Sequence, residues 1–289
     1  MDSVFLTKIK KIELIAVKLV ETLISGNYRS VFHGQGMEFN EVREYMYGDD
    51  IRMIDWNVTS RMGSPYTKTF REERELVLFS IIDISSSMFF GSGPVNKHEV
   101  IALAFAVLGL AAVYNNDKIG TVFFSDTIEK WVAPGKGKKH VLSLINDLFS
   151  FKPEGKGSNL KLALQTVYQY LKKRSICVIL SDFKTDNYWN QMSLLSQKHD
   201  VIAVKIIDDN DLDFPKTGFI PLKDPETGKV LFSHGRSGKF RTNYRQKRNA
   251  EHDRWKHMCL KYGAAPLVIN TKDDVGLKLY QFFEKRKRA

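Results

Sequence analysis

From residue 76 onward, near-continuous apolar runs alternate with stretches of helical period, the pattern of a mostly parallel sheet covered by helices on both faces. Residues 75–83 (ELVLFSIID), 118–125 (KIGTVFFS), 175–182 (SICVILSD), 200–207 (DVIAVKII) and 266–270 (PLVIN) read as strands buried on both sides. Residues 128–132 (IEKWV) alternate instead and predict an antiparallel edge strand after a turn near Asp126. Helices are predicted at about 97–115, 137–150, 159–173, 187–198 and 273–286. The fold class is therefore α/β, a doubly wound, mostly parallel sheet.

Two segments fall outside this alternation. Residues 1–75 carry a helix and then a charged, aromatic extension, and residues 209–262 insert a hairpin around DPETG followed by a basic helix. Both are read as decorations of one domain spanning 76–289, with a separate small N-terminal subdomain as the alternative. Between Glu38 and Asp55, the residues Glu41, Arg43, Glu44, Asp49, Asp50 and Arg52 form no catalytic spacing. They predict a charge network around a core of Tyr45, Tyr47 and Trp56.

The stretch VFLTKIKKIELIAVKLVETLI at 4–24 is amphipathic but interrupted by six charges, so it reads as neither signal peptide nor membrane span. Residues 100–114, the most hydrophobic segment, fall short of the ~20 residues that cross a bilayer and read as a buried helix. With 289 residues the chain can bury a full core without staples. Cys177 and Cys259 lack a CxxC or framework spacing, which predicts core thiols in a reduced cytoplasm.

The net charge of +11 concentrates at the C-terminal end, where residues 236–261 hold nine Lys/Arg against Glu251 and Asp253. Such a surface attracts nucleic acid or anionic membrane through its field and by counterion release. Without aromatic interleaving or a nucleic-acid motif, a solvated face or a contact for an acidic protein is the stronger reading.

The chemistry gathers in IIDISSSM, where Asp83, Ser85 and Ser87 follow the first central strand. Open α/β sheets bind ligands beyond the carboxyl ends of strands, near the point where strand order reverses. One carboxylate and two hydroxyls are hard oxygen donors suited to Mg²⁺, with Mn²⁺ or Ca²⁺ as alternatives. Ser158, ahead of the helix in GKGSNLKLAL, and Asp182, closing VILSD, would join them on the same rim. Such a set leaves the ion positive and open to an incoming Asp or Glu carboxylate. Each motif has a plainer meaning as well: DxSxS as a capped turn, and Ser158 as a helix N-cap.

In combination these residues resemble the metal-ion-dependent adhesion site of von Willebrand factor type A domains, over residues 76 to about 207. Ser158 stands where that family more often has Thr, and it keeps the hydroxyl. Upstream, GQGMEFNEVREYMYGDDIRMIDWNVTSRMGSPYTKTFREERE resembles the segment preceding such a domain in the prokaryotic family called domain of unknown function 58. The resemblance implies an intracellular, non-enzymatic adaptor, often encoded beside a MoxR-type AAA+ ATPase, with that ATPase or its client as partner in chaperone-like assembly.

An enzyme is the rival class. A metal-dependent phosphohydrolase acting from Asp83 would want a second acid two residues on, where this chain has Ser85. The chain contains neither GxxxxGK[ST] nor GxSxG, and His252 and His257 miss the i, i+4 spacing of a helical zinc pair. The run Asp208, Asp209, Asp211, Asp213 lacks the glycine and closing Glu of a calcium loop and reads as a turn.

Overall fold

The computed structural model describes residues 17, 35–73, 76–151, 153, 155, 157–214, 219–223, 230–234 and 238–288. Apart from Val17, the N-terminal amphipathic stretch lies outside these residues, as does the DPETG turn.

Arg29–Leu76 clusters as a compact unit of its own. In it β1 (Gln35–Glu44) pairs antiparallel with β2 (Tyr66–Glu73), and α1 (Trp56–Met62) lies between them in sequence. Asp55 caps α1 by accepting from the backbone N–H groups of Asn57 and Val58, and Gly63 ends it in the left-handed region at φ 75°. The charges pair as expected, Arg43 with Asp49 and Arg52 with Asp50, each at 2.7 Å. The expected aromatic core does not form: Tyr47 is fully exposed and Trp56 is 67 % exposed. Two strands and a two-turn helix enclose too little volume to bury three aromatic rings.

The larger unit opens with β3 (Val77–Asp83), α2 (Lys97–Tyr114) and β4 (Lys118–Phe124). After β5 (Ile128–Gly135) come α3 (Lys138–Ser150), α4 (Leu160–Tyr170) and β6 (Ile176–Ser181). The chain continues through α5 (Trp189–Lys198), β7 (Asp200–Ile207) and the short α6 (Asp209–Leu212). An antiparallel pair, β8 (Phe219–Lys223) with β9 (Val230–His234), forms the expected hairpin. It is followed by α7 (Gly238–Lys261), β10 (Ala264–Asn270) and α8 (Val275–Arg288).

Six strands form one sheet in the order β10-β7-β6-β3-β4-β5, parallel throughout except for the edge strand β5, which runs antiparallel to β4. The doubly wound α/β class is thus the observed one. The chain moves outward from β3 to β4 and β5, then returns across to β6 on the other side of β3. Strand order therefore reverses between β3 and β6, and the register Ile82 to Leu180 brings Asp83 and Ser181 to the same level there.

Alternate strand residues Phe79, Ile81, Val122, Phe124, Cys177 and Ile179 share one buried cluster with Leu164, Val167, Leu195 and Trp255 from the covering helices. Both cysteines are free thiols within it, and burial pushes the Cys259 thiol up to about 12. On α2 the apolar residues run all round because it packs against the sheet, α3 and α8 at once. Among the described residues it is the one helix long and apolar enough to cross a membrane, and most of it is buried inside the domain.

Edge strand β5 reaches Gly135, farther than its alternation predicted, and carries Pro134, a residue sheets tolerate at their edges. Gly120 on β4 allows this close approach, since a Cβ there would meet the Phe79 ring at 2.8 Å and the Pro134 nitrogen at 2.9 Å. Gly120→Ala is therefore expected to destabilise the protein by roughly 1–3 kcal/mol in urea unfolding. Adding Phe79→Leu should cost less in that background than alone, because it relieves the ring contact. Strict additivity of the two substitutions would show that the ring is not what Gly120 accommodates.

Candidate metal centre

Asp83 closes β3 with its side chain fully buried in the crevice where strand order reverses. Its Oδ1 accepts the Ser85 backbone N–H at 2.9 Å, the local turn that the sequence allows. Its Oδ2 instead accepts two hydroxyls from distant segments, Ser158 at 2.8 Å and Ser181 at 2.7 Å. Ser85 stands at the N-cap of a 3-10 turn over Ser86–Phe89 yet makes no side-chain cap bond; its hydroxyl lies 3.3 Å from that of Ser87.

The loop that presents Ser158 is fastened on both sides. Asn159 donates its backbone N–H to the Ser125 carbonyl at 2.7 Å, and the Thr185 hydroxyl donates to the Ser158 carbonyl at 3.0 Å. Farther back, Gly155 donates to Glu129 at 3.0 Å and lies so close to Asp126 that any Cβ would overlap its carboxylate. The N-cap role expected of Ser158 falls to Asn159, whose side chain accepts from the Leu162 N–H. Ser158 is thereby released to bond Asp83.

Asp182 follows β6 on the same rim but is engaged elsewhere. Its Oδ2 accepts from the Lys97 ammonium at 3.2 Å, and its Oδ1 accepts the Lys184 backbone N–H at 3.2 Å. Lys97 is fully buried and also pairs with Asp211 at 2.7 Å, while Lys184 bonds Asp211 at 2.6 Å. Two lysines and two carboxylates thus form a closed network. Burial alone would raise Asp211, but Lys97 and Lys184 overcome it and hold its carboxyl at about 2. Burial likewise opposes the Lys184 charge, and Asp182 and Asp211 nonetheless raise it to about 12. The acidic run 208–213 proves to be a turn with this further duty. Asp208 and Asp211 form a capping box around α6, and Asp211 then faces the lysines.

Among the described residues no lysine pairs with Asp83. Burial, and after it the charge of Asp182, pushes its carboxyl up to about 6, against hydrogen bonds from Ser85 and Ser181 that favour the charged form. Among the described residues no group of three or more His, Cys, Asp or Glu forms a metal cluster. A cation here would therefore rest on hydroxyls. One buried carboxylate with the hydroxyls of Ser85, Ser87 and Ser158 fits a hard, oxygen-preferring divalent ion.

The sequence does not single out Ser181, Lys97 or Lys184, and it marks Asp211 only as part of a turn. Ser181 left one signal, a polar residue inside a doubly buried run, which has to find a partner. The lysines left none, since their carboxylates come from other elements.

These features define a class: a doubly wound α/β domain with a carboxylate and hydroxyl site at its switch point. The chain belongs to the family Protein of unknown function DUF58, whose model matches residues 41–254. An uncharacterized protein of Mycobacterium tuberculosis is 25 % identical over 225 residues, covering 77 % of this chain and 71 % of that protein. Among solved structures, the conserved hypothetical protein BatB from Bacteroides thetaiotaomicron matches with a TM-score of 0.45 and 12 % identity, covering 74 % of this chain and 100 % of the other. A von Willebrand factor type A protein from Catenulispora acidiphila matches with a TM-score of 0.42 and 11 % identity, covering 77 % and 43 %.

The Asp83 carboxyl has a folded pKa above its unfolded value of 3.8, so its ionisation costs the fold stability as pH rises from 3.8 through about 6. Asp83→Asn should remove that cost. In metal-free buffer the variant is expected to match the wild type below pH 4, gain on it through pH 6, and hold a constant advantage of roughly 2–3 kcal/mol above. Urea unfolding across pH 3.5–8 measures this, and a pH-independent difference would refute the burial assigned to this carboxylate.

Proposed function

We propose that the protein is a non-enzymatic adaptor that binds a partner protein through a divalent metal, Mg²⁺ being the best match. The observation that carries this reading is the fully buried Asp83 carboxylate, ringed by serine hydroxyls and without a lysine partner among the described residues. Asp83, Ser85, Ser87 and Ser158 would hold the ion, with Asp182 acting as a charge one layer out, anchored by Lys97. The bound ion supplies a positive centre with room for one more carboxylate oxygen. A hydroxyl stands at Ser85, where phosphohydrolase chemistry would need a second acid, which favours binding over catalysis.

The resemblance to metal-dependent adhesion sites supports the same reading and suggests the partner's chemistry, an exposed Asp or Glu. The resemblance to the family of unknown function 58 suggests a MoxR-type AAA+ ATPase or its client as that partner. A cytoplasmic location suits two buried free thiols. One carboxylate on one ion is a small contact, so a wider surface must contribute to a stable complex. The exposed basic residues of α7, Arg245 and Lys247 among them, would suit an acidic partner.

Calorimetry should show Mg²⁺ binding to the wild type and none to Asp83→Ala, with circular dichroism unchanged. A pull-down with the ATPase should then succeed with Mg²⁺ and fail with EDTA or with Asp83→Ala. Equal capture in all three samples would rule out adhesion through the metal.

A further inference from the structure

A cavity of about 650 Å³ opens beside the Asp83 crevice, between the segments that follow β6 and β7 and α7. It shares Asp182, Lys184 and Asp211 with the network above, and Asp83, Ser85, Ser87 and Ser158 do not line it. Its volume lies in the range of small-molecule pockets. One part of its lining is aromatic: Phe183 packs against Tyr188 and Trp255, with ring centroids 5.9 and 5.0 Å apart.

The cavity lining carries four basic and four acidic groups, but these are not all paired with one another. Asp182 and Asp211 are held by Lys97 and Lys184, and Glu251 pairs with Arg248 at 2.8 Å. Lys205, half-buried on β7, forms no ion pair among the described residues; its ammonium rests 5.0 Å from the centre of the Trp255 ring. Arg254 lines the same space from α7 without a hydrogen-bond partner among them, and His252 Nδ1 is buried without one. Against these groups stands one lining carboxylate outside the ion pairs, the exposed Asp186. A cation taken partly out of water with no counter-ion is costly, and an incoming anion removes that cost.

We propose that this cavity binds a small molecule bearing an oxyanion, phosphate or carboxylate, on a flat apolar body. Lys205 and Arg254 hold the anion, and the aromatic wall receives the body. Burial depresses the Lys205 pKa, with Asp182 and Asp211 working the other way at longer range, as fits an ammonium whose near partner comes with the ligand. The proposal is independent of the metal reading, since none of the groups it uses belongs to the Asp83 site.

Calorimetric titration of the full chain in EDTA with phenyl phosphate, benzoate and phenol tests it. At least one anion should bind about tenfold or more tightly than neutral phenol, and whichever binds better identifies the oxyanion. Lys205→Gln or Arg254→Gln should erase that margin; Arg254 is exposed, so its substitution does not threaten the fold. If neither anion exceeds phenol, or if both variants keep the margin, the site is not an anion site.

Discussion

Two carboxylates buried at the ends of neighbouring parallel strands set the terms for the rest of this domain. Asp83 and Asp182 repel one another where water cannot screen them. The fold treats them unequally. Asp182 receives Lys97 and, through the shared network, Lys184, whereas among the described residues Asp83 receives hydroxyls and one backbone N–H but no cation. One carboxylate is thereby neutralised internally and the other is left short of a positive charge.

Lys97 pays for this arrangement locally. It is the first residue of α2, where the helix dipole disfavours a cation, and it is buried completely. Asp182 and Asp211 together offset both penalties. Asp211 can do so because the capped turn at α6 holds it, and that turn follows directly from β7. Carboxylates from the ends of two strands are thus tied to the helix that crosses between β3 and β4. The rim of the crevice is fixed by ion pairs among elements that are far apart in sequence.

The cavity beside this rim is another product of the same topology. The chain crosses back at β3, so β6 and β7 end side by side. The cavity forms where α7 covers the segments beyond them. The basic residues that α7 carries therefore divide. Some, such as Arg245, lie away from the cavity, while the half-buried Arg248 and the exposed Arg254 line it. Net charge alone could not distinguish these two environments.

The sequence by itself determined the sheet, because a strand buried on both faces has to be apolar along its length, and such runs appear at β3, β4, β6 and β7; β10 is apolar too, but as an edge strand it is mostly half-buried. It also pointed to one rim, since DISSS follows a central strand and Ser158 and Asp182 occupy an equivalent edge. Contact was a different matter. Ser181 reaches Asp83 across 98 positions and Lys97 reaches Asp182 across 85, and no local period encodes a pairing at that range. Only the tertiary structure decided that Asp182 would face lysines, that Asn159 and not Ser158 would cap α4, and that Tyr47 and Trp56 would remain outside. Each of these outcomes depends on which partner lies within hydrogen-bonding or packing distance, and strand order and enclosed volume fix that distance after the local elements have formed.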